Sequence, residues 1–194
     1  TGAEGYVGAL PEIYVEGPIV EATEAGLRRI VEEQGLRDAR ILFDSEGGDL
    51  LAAIELGRFL RQRGFVTEVA GFGGAWGRHR PASCYSACAV AYVGGRFRYL
   101  EPASRVAVHQ FATPREEGAA TLREVEQETQ SVAARLVTYL RDMDIDLGLF
   151  SRMSQRPHED LDYLAAADLA RYRVVNGGRL EPQWRLAIVG DAVV

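Results

Sequence analysis

ARILFDSEGGDLLAAIELGRFLRQRGFVTEV, running from Ala39 to Val69, is the stretch whose reading decides the fold. Ala39-Arg40-Ile41-Leu42-Phe43 reads as a strand. Asp44-Ser45-Glu46-Gly47-Gly48 is a turn. Leu51, Ile54, Leu56, Phe59 and Leu60 then fall on one side of a helix from Leu50 to Arg63, stopped by Gly64. Phe65 to Val69 returns as a strand. A strand, a helix and a second strand with short connections make one right-handed crossover between parallel strands.

Working outward, Ile13 to Gly17 reads as a preceding strand. Thr23 to Glu33 reads as a helix with Ala25, Leu27, Ile30 and Val31 on its apolar side. The first third of the chain is therefore strand, helix, strand, helix, strand: an α/β protein with a parallel sheet. Gly71 to Pro81, with Trp76 and His79, reads as a surface loop. Ser83 to Val93 combines small and apolar residues and is expected to be a buried helix. Arg96 to Tyr99 and Ser104 to His109 are expected strands around a Glu101-Pro102 turn. From Thr121 to Met143, Leu122, Val125, Val132, Leu136, Tyr139, Leu140 and Met143 form a three-and-four stripe along a long helix. Leu164 to Tyr172 is a last helix. One domain is expected over residues 1–194, with a core of about 13–176 and a tail over 177–194 containing Trp184.

The composition excludes several chemistries. The 194 residues carry a formal net charge of -6, which argues against a nucleic-acid surface. All 22 basic residues are arginine. Arginine stays protonated at any workable pH, so a Ser–Lys dyad, a Schiff base and a Walker-type phosphate loop are excluded together. No apolar run reaches the ~18 residues a spanning helix needs. No cofactor is indicated. A zinc site built from Cys84, Cys88 and His79 or His109 lacks a recognisable ligand spacing, so no metal is expected.

Acyl transfer by a hydroxyl needs the hydroxyl, a base, an orienting acid and N–H donors for the oxyanion. Ser86 stands among small residues at the start of the expected helix, where the helix N-terminus favours developing negative charge and the Ala87 N–H points the same way. Gly47 and Gly48 follow a strand, and their missing side chains allow backbone N–H groups to approach a substrate. His109 ends the alternating run Arg105-Val106-Ala107-Val108-His109. A thiol nucleophile, Cys84 or Cys88, is the competing reading. A Cys84–Cys88 disulfide requires Cys84 to lie before the helix, because one helical turn holds the two Cβ atoms too far apart. His158, after Pro157, reads as a surface residue, and His79 with Trp76 as loop residues or a lid over Ser86.

These segments together resemble the proteolytic subunit of the Clp protease and its relatives of the ClpP/crotonase fold. Ile13-Tyr14-Val15-Glu16-Gly17-Pro18-Ile19 is similar to that family's opening strand and glycine turn. Asp44-Ser45-Glu46-Gly47-Gly48-Asp49 is similar to its Asn-Ser-Pro-Gly-Gly oxyanion turn, with Asp44 and Glu46 as departures. Ser86-Ala87 matches the nucleophile and the small residue after it. Ser104-Arg105-Val106-Ala107-Val108-His109-Gln110 resembles the Ser-Arg-hydrophobic-His-Gln segment, and Leu164 to Asn176 the closing helix and strand.

The resemblance implies a serine peptidase with Ser86 as nucleophile and His109 as general base. Asp160, or alternatively Asp162, is then the acid, and Gly47 or Gly48 with Ala87 form the oxyanion hole. It implies a peptide or protein substrate and a homo-oligomer with helix 121–143 at the interface, while leaving an ATPase partner open. The Cys-x-Ser-x-Cys surround is closer to exported bacterial Clp-like proteins, which favours the periplasm over the cytoplasm. Two other readings stand beside it: a crotonase-like acyl-CoA enzyme using the Gly48 region, and a catalytically silent binding or assembly module.

Overall fold

A computed structural model describes residues 10–73, 79–112, 121–177, 188–189 and 192–193. The expected crossovers are present. Strands β1 (Glu12–Glu16), β2 (Arg40–Asp44), β3 (Val66–Val69) and β7 (Phe97–Leu100) form one parallel sheet in the order β1-β2-β3-β7. Helices α1 (Glu21–Glu33) and α2 (Leu50–Arg63) make its first two connections. Asp49 caps α2, its Oδ1 accepting from the Ala52 N–H at 2.7 Å, and Gly64 ends the helix in the left-handed conformation at φ 70°. Both devices satisfy backbone groups that the helix ends leave orphaned. Between them Ile54, Leu56, Phe59 and Leu60 are buried in the core.

A second sheet, joined to the first by a bridge between Ser45 and Cys84, has the order β6 (Ser83–Tyr85), β8 (Arg105–Val108), β9 (Asp162–Tyr163). β6 and β8 are parallel, β8 and β9 antiparallel. Here the structure corrects one expectation: Ser83 to Tyr85 is strand, not the start of a helix, and helix α3 spans only Ala87–Tyr92. The reason is tertiary. Ser45, just past β2, donates its N–H to Ser83 O at 2.8 Å and accepts from the Tyr85 N–H at 3.0 Å, while β8 pairs with the other edge. Two partners override the local preference of a small-residue segment.

Gly71–Phe72 (β4) and His79–Arg80 (β5) form a short antiparallel hairpin where a loop was expected; Trp76 lies outside the described residues. His79 joins that hairpin to the sheet, with Nε2 3.1 Å from Glu12 Oε1.

The long helix α4 runs over Leu122–Asp142, capped by reciprocal bonds between Thr121 and Glu124. Its C-terminal half is anchored by Leu136, Tyr139 and Leu140, all buried, with the Tyr139 hydroxyl donating to Val90 O at 2.7 Å. Its N-terminal half stands clear of the core, and Leu122 is 73% exposed. Helix α5 (Gly148–Met153) was not anticipated; α6 (Ala166–Arg171) closes the core, and Ile188–Val189 (β10) pairs with Ala192–Val193 (β11). No described helix is long and apolar enough to cross a membrane.

Candidate active site

Ser86 sits between β6 and α3 at φ 56°, ψ -124°, a conformation that L-residues rarely adopt. A non-glycine residue held there is locally strained, and such strain persists only where surrounding bonds over-determine it. They do so here. The Ser86 N–H donates to Ala107 O at 3.0 Å, and Ser86 O accepts from the Ala89 N–H at 3.0 Å. A disulfide between Cys84 and Cys88, with Cα atoms 5.1 Å apart, spans the turn from both sides. It forms because Cys84 is in the strand and Cys88 in the first turn of the helix, the condition that the sequence had set. This also removes both thiols as nucleophiles. Closing so short a loop should stabilise the fold by about 2 kcal/mol through chain entropy. The Cys84→Ser/Cys88→Ser protein is accordingly expected to unfold at lower urea than the oxidised parent. An unchanged midpoint would show that the bridge constrains nothing.

The turn after β2 packs directly against this elbow. A Cβ on Gly47 would lie 2.9 Å from Ser86 Cβ and 2.9 Å from Tyr85 O; one on Gly48 would lie 2.1 Å from Ile19 O. Both glycines also have positive φ, 117° and 140°. The Gly47 N–H is already given to Ser45 Oγ at 3.1 Å. Gly47 O in turn accepts from the Ile19 N–H at 2.8 Å, and Ile19 O accepts from the Asp49 N–H at 2.9 Å. Of the two glycines expected as oxyanion donors, Gly48 is therefore the one whose N–H has no acceptor among the described residues. Ala87, as the first residue of α3, contributes an N–H that helix geometry leaves orphaned.

His109 follows the last residue of β8 and is 7% exposed. Ser86, Ala87, Gly48 and His109 line one cavity of about 140 Å³, with Leu51, Val90, Phe111, Val132 and Met153 as apolar lining and Asp49, Glu128 and His158 at its polar edge. An open groove of about 710 Å³ between α1 and α2 is larger, but it is lined by Glu21, Glu24, Arg28, Glu55 and Arg58 and holds no nucleophile beside a base. Burial, and after it the neighbouring His158, push the His109 imidazole below its ordinary pKa; the Gln110 backbone and Glu159 act in the opposite direction. The neutral, proton-accepting form is thus favoured to lower pH than in a free histidine.

The expected acids are engaged elsewhere. Asp160 is paired with Arg156 at 3.3 Å, its side chain 60% exposed. Asp162 lies opposite Val108 in the β8–β9 register, next to His109, yet both its oxygens accept from Arg152, at 2.7 and 2.9 Å. Those bonds hold its carboxyl below the usual carboxylate range. Among the described residues, the Nδ1 atom of His109 is buried without a hydrogen-bond partner. The residue actually beside it is His158, whose ring centroid is 4.7 Å from that of His109 and which also lines the cavity. His158 is exposed, as expected, but it is not a bystander. Only its rarity, one histidine of three, marked it in the sequence. Asp44, an acid expected near the oxyanion turn, is turned to Arg80 and to the Ser83 N–H, and Asp49 is spent as the α2 cap.

Compared with solved structures, the chain is similar to a serine-to-alanine mutant of 1510-N, a membrane-bound stomatin-specific protease. The TM-score is 0.61 at 15% identity, over 85% of this chain and 76% of that one. The chain has a ClpP/crotonase-like fold. No family model and no curated protein matches the sequence. In this ClpP/crotonase-like framework the elbow at Ser86, the glycine turn and His109 all come from strand ends at the junction of the two sheets.

Proposed function

We propose that this chain is a serine peptidase acting through an acyl-enzyme, with Ser86 as nucleophile and His109 as general base. The observation that carries the reading is the shared cavity: a hydroxyl on a strained strand-to-helix turn, an imidazole whose pKa burial pushes down, and the residues of two N–H groups without an acceptor among the described residues line the same space. In the reaction His109 takes the Ser86 Oγ proton as Oγ attacks a peptide carbonyl. The Gly48 and Ala87 N–H groups receive the oxyanion, and His109 then returns the proton to the leaving amine. Water repeats the sequence to release the acid.

The apolar cavity wall suits a peptide with an apolar side chain next to the cleaved bond. The Cys84–Cys88 bridge supports an oxidising compartment such as the periplasm. The exposed Leu122 at the start of α4, on a helix half that stands clear of the core, supports self-association through that helix.

A fluorophosphonate probe should label the protein covalently at Ser86, and Ser86→Ala should abolish labelling while preserving the unfolding midpoint. A folded wild-type protein that is never labelled would leave the silent-module reading, which the unpartnered Nδ1 of His109 favours.

A further inference from the structure

A serine–histidine pair works only if the imidazole is held in one tautomer. For Nε2 of His109 to accept the serine proton, Nδ1 must carry the hydrogen, and a buried Nδ1–H requires an acceptor. That acceptor is missing from the expected place, since Asp160 and Asp162 are bound to Arg156 and Arg152. What stands beside the base is a second imidazole. The His109 and His158 rings are tilted by 58° with centroids 4.7 Å apart. Two imidazoles sharing an N–H···N bond have centroids about 5 Å apart, given the usual donor–acceptor distance and the size of the rings.

The loop carrying His158 is clasped to the strand carrying His109 by the intervening residue, Gln110. Its N–H donates to Arg156 O at 2.9 Å and its Nε2 to Ser154 O at 2.6 Å, and its carbonyl lies 3.4 Å from His158 Nδ1. That last contact is at the long limit of a hydrogen bond, so turning the exposed His158 ring toward His109 gives up little.

We propose that His158 is the positioning residue for His109, its imidazole accepting the Nδ1–H bond in place of a carboxylate. The inference rests on the peptidase reading above. During attack the proton moves from Ser86 Oγ to His109 Nε2, Nδ1–H stays bonded to a His158 nitrogen, and no net proton enters or leaves. An uncharged imidazole offers the lone pair that this bond needs, whereas an imidazolium has none to offer. The other charged groups around them are Glu159 and Arg156 on the same loop, Asp49 at the start of α2, and Glu128 on α4.

The test uses the full chain and two readouts. In Ser86→Ala protein, the His109 ring proton is followed by NMR against pH, with and without His158→Ala, which leaves no acceptor at this position. Removing the neighbouring imidazole is expected to raise the His109 midpoint, because His158 pushes it down. With Ser86 intact, the rate of fluorophosphonate labelling is measured against pH. His158→Ala is expected to slow it at least tenfold, in line with the usual size of base catalysis, and to move the acid limb to higher pH. His158→Asp, which supplies a carboxylate, is expected to recover part of the rate and to raise the limb further. An unmoved His109 titration overturns the pairing. Full labelling in His158→Ala overturns the positioning role, and loss of labelling in Asp160→Asn restores Asp160. If no variant and no wild-type protein is ever labelled, the peptidase reading fails, and the titration alone still decides whether the rings pair.

Discussion

Gly48→Ala is expected to damage both the fold and the candidate site. The added methyl group would lie 2.1 Å from Ile19 O and 2.8 Å from Ile19 N, both backbone atoms, and φ at this residue is 140°. Neither the clash nor the dihedral can be relieved by a side-chain rotation. The Ile19–Gly48 bridge, which joins the turn to the start of α1, has to open. Overpacking and backbone strain each cost about 1–3 kcal/mol, so together they remove about 3 kcal/mol or more. Urea denaturation reads the stability loss, and fluorophosphonate labelling is expected to disappear with the displaced N–H. A Gly48→Ala protein as stable as the parent would mean that the turn does not pack as described. Alanine at Gly47 is expected to act on the site more than on the fold, because its nearest neighbours are Ser86 Cβ and Tyr85 O.

Glycine in place of Ser86 should separate stability from chemistry. Labelling is lost completely and peptide hydrolysis falls by about 10³-fold or more, since the nucleophile is gone. Stability moves the other way. At φ 56°, ψ -124° a glycine is unstrained, whereas serine and alanine are not. Relief of about 1–3 kcal/mol outweighs the greater unfolded-chain entropy of glycine, leaving Ser86→Gly about 1 kcal/mol more stable than Ser86→Ala. Alanine is the right comparison because it removes the hydroxyl and keeps the Cβ. If the alanine protein proves the more stable of the two, the turn is not strained and its unusual conformation has no functional meaning.

Legibility in the sequence tracked the range of the forces involved. Asp49 and Gly64 bound α2, and Thr121 with Glu124 starts α4, through contacts within four residues. The apolar stripes of both helices are equally local. The Ser83–Tyr85 strand is held by Ser45 and by β8, neither near it in the chain, and its small residues suit a helix just as well. Two-residue strands such as Asp162–Tyr163 and His79–Arg80 have no period to detect.

The candidate site divides the same way. Ser86, the glycine pair and His109 stand out because their segments together resemble those of a known family, each being weak alone. The partner of His109 is chosen by where a loop folds back, and by arginines that draw Asp160 and Asp162 away. Those choices are made in three dimensions.

The 3.0 Å bond from the Ser86 N–H to Ala107 O has a mechanical consequence. His109 is two residues beyond Ala107, so only a short, stiff path of backbone separates the two reacting groups. A displacement of β6 therefore carries β8 with it, so the hydroxyl and the imidazole move together, much as two pens clamped in one holder keep their separation on a shaking table.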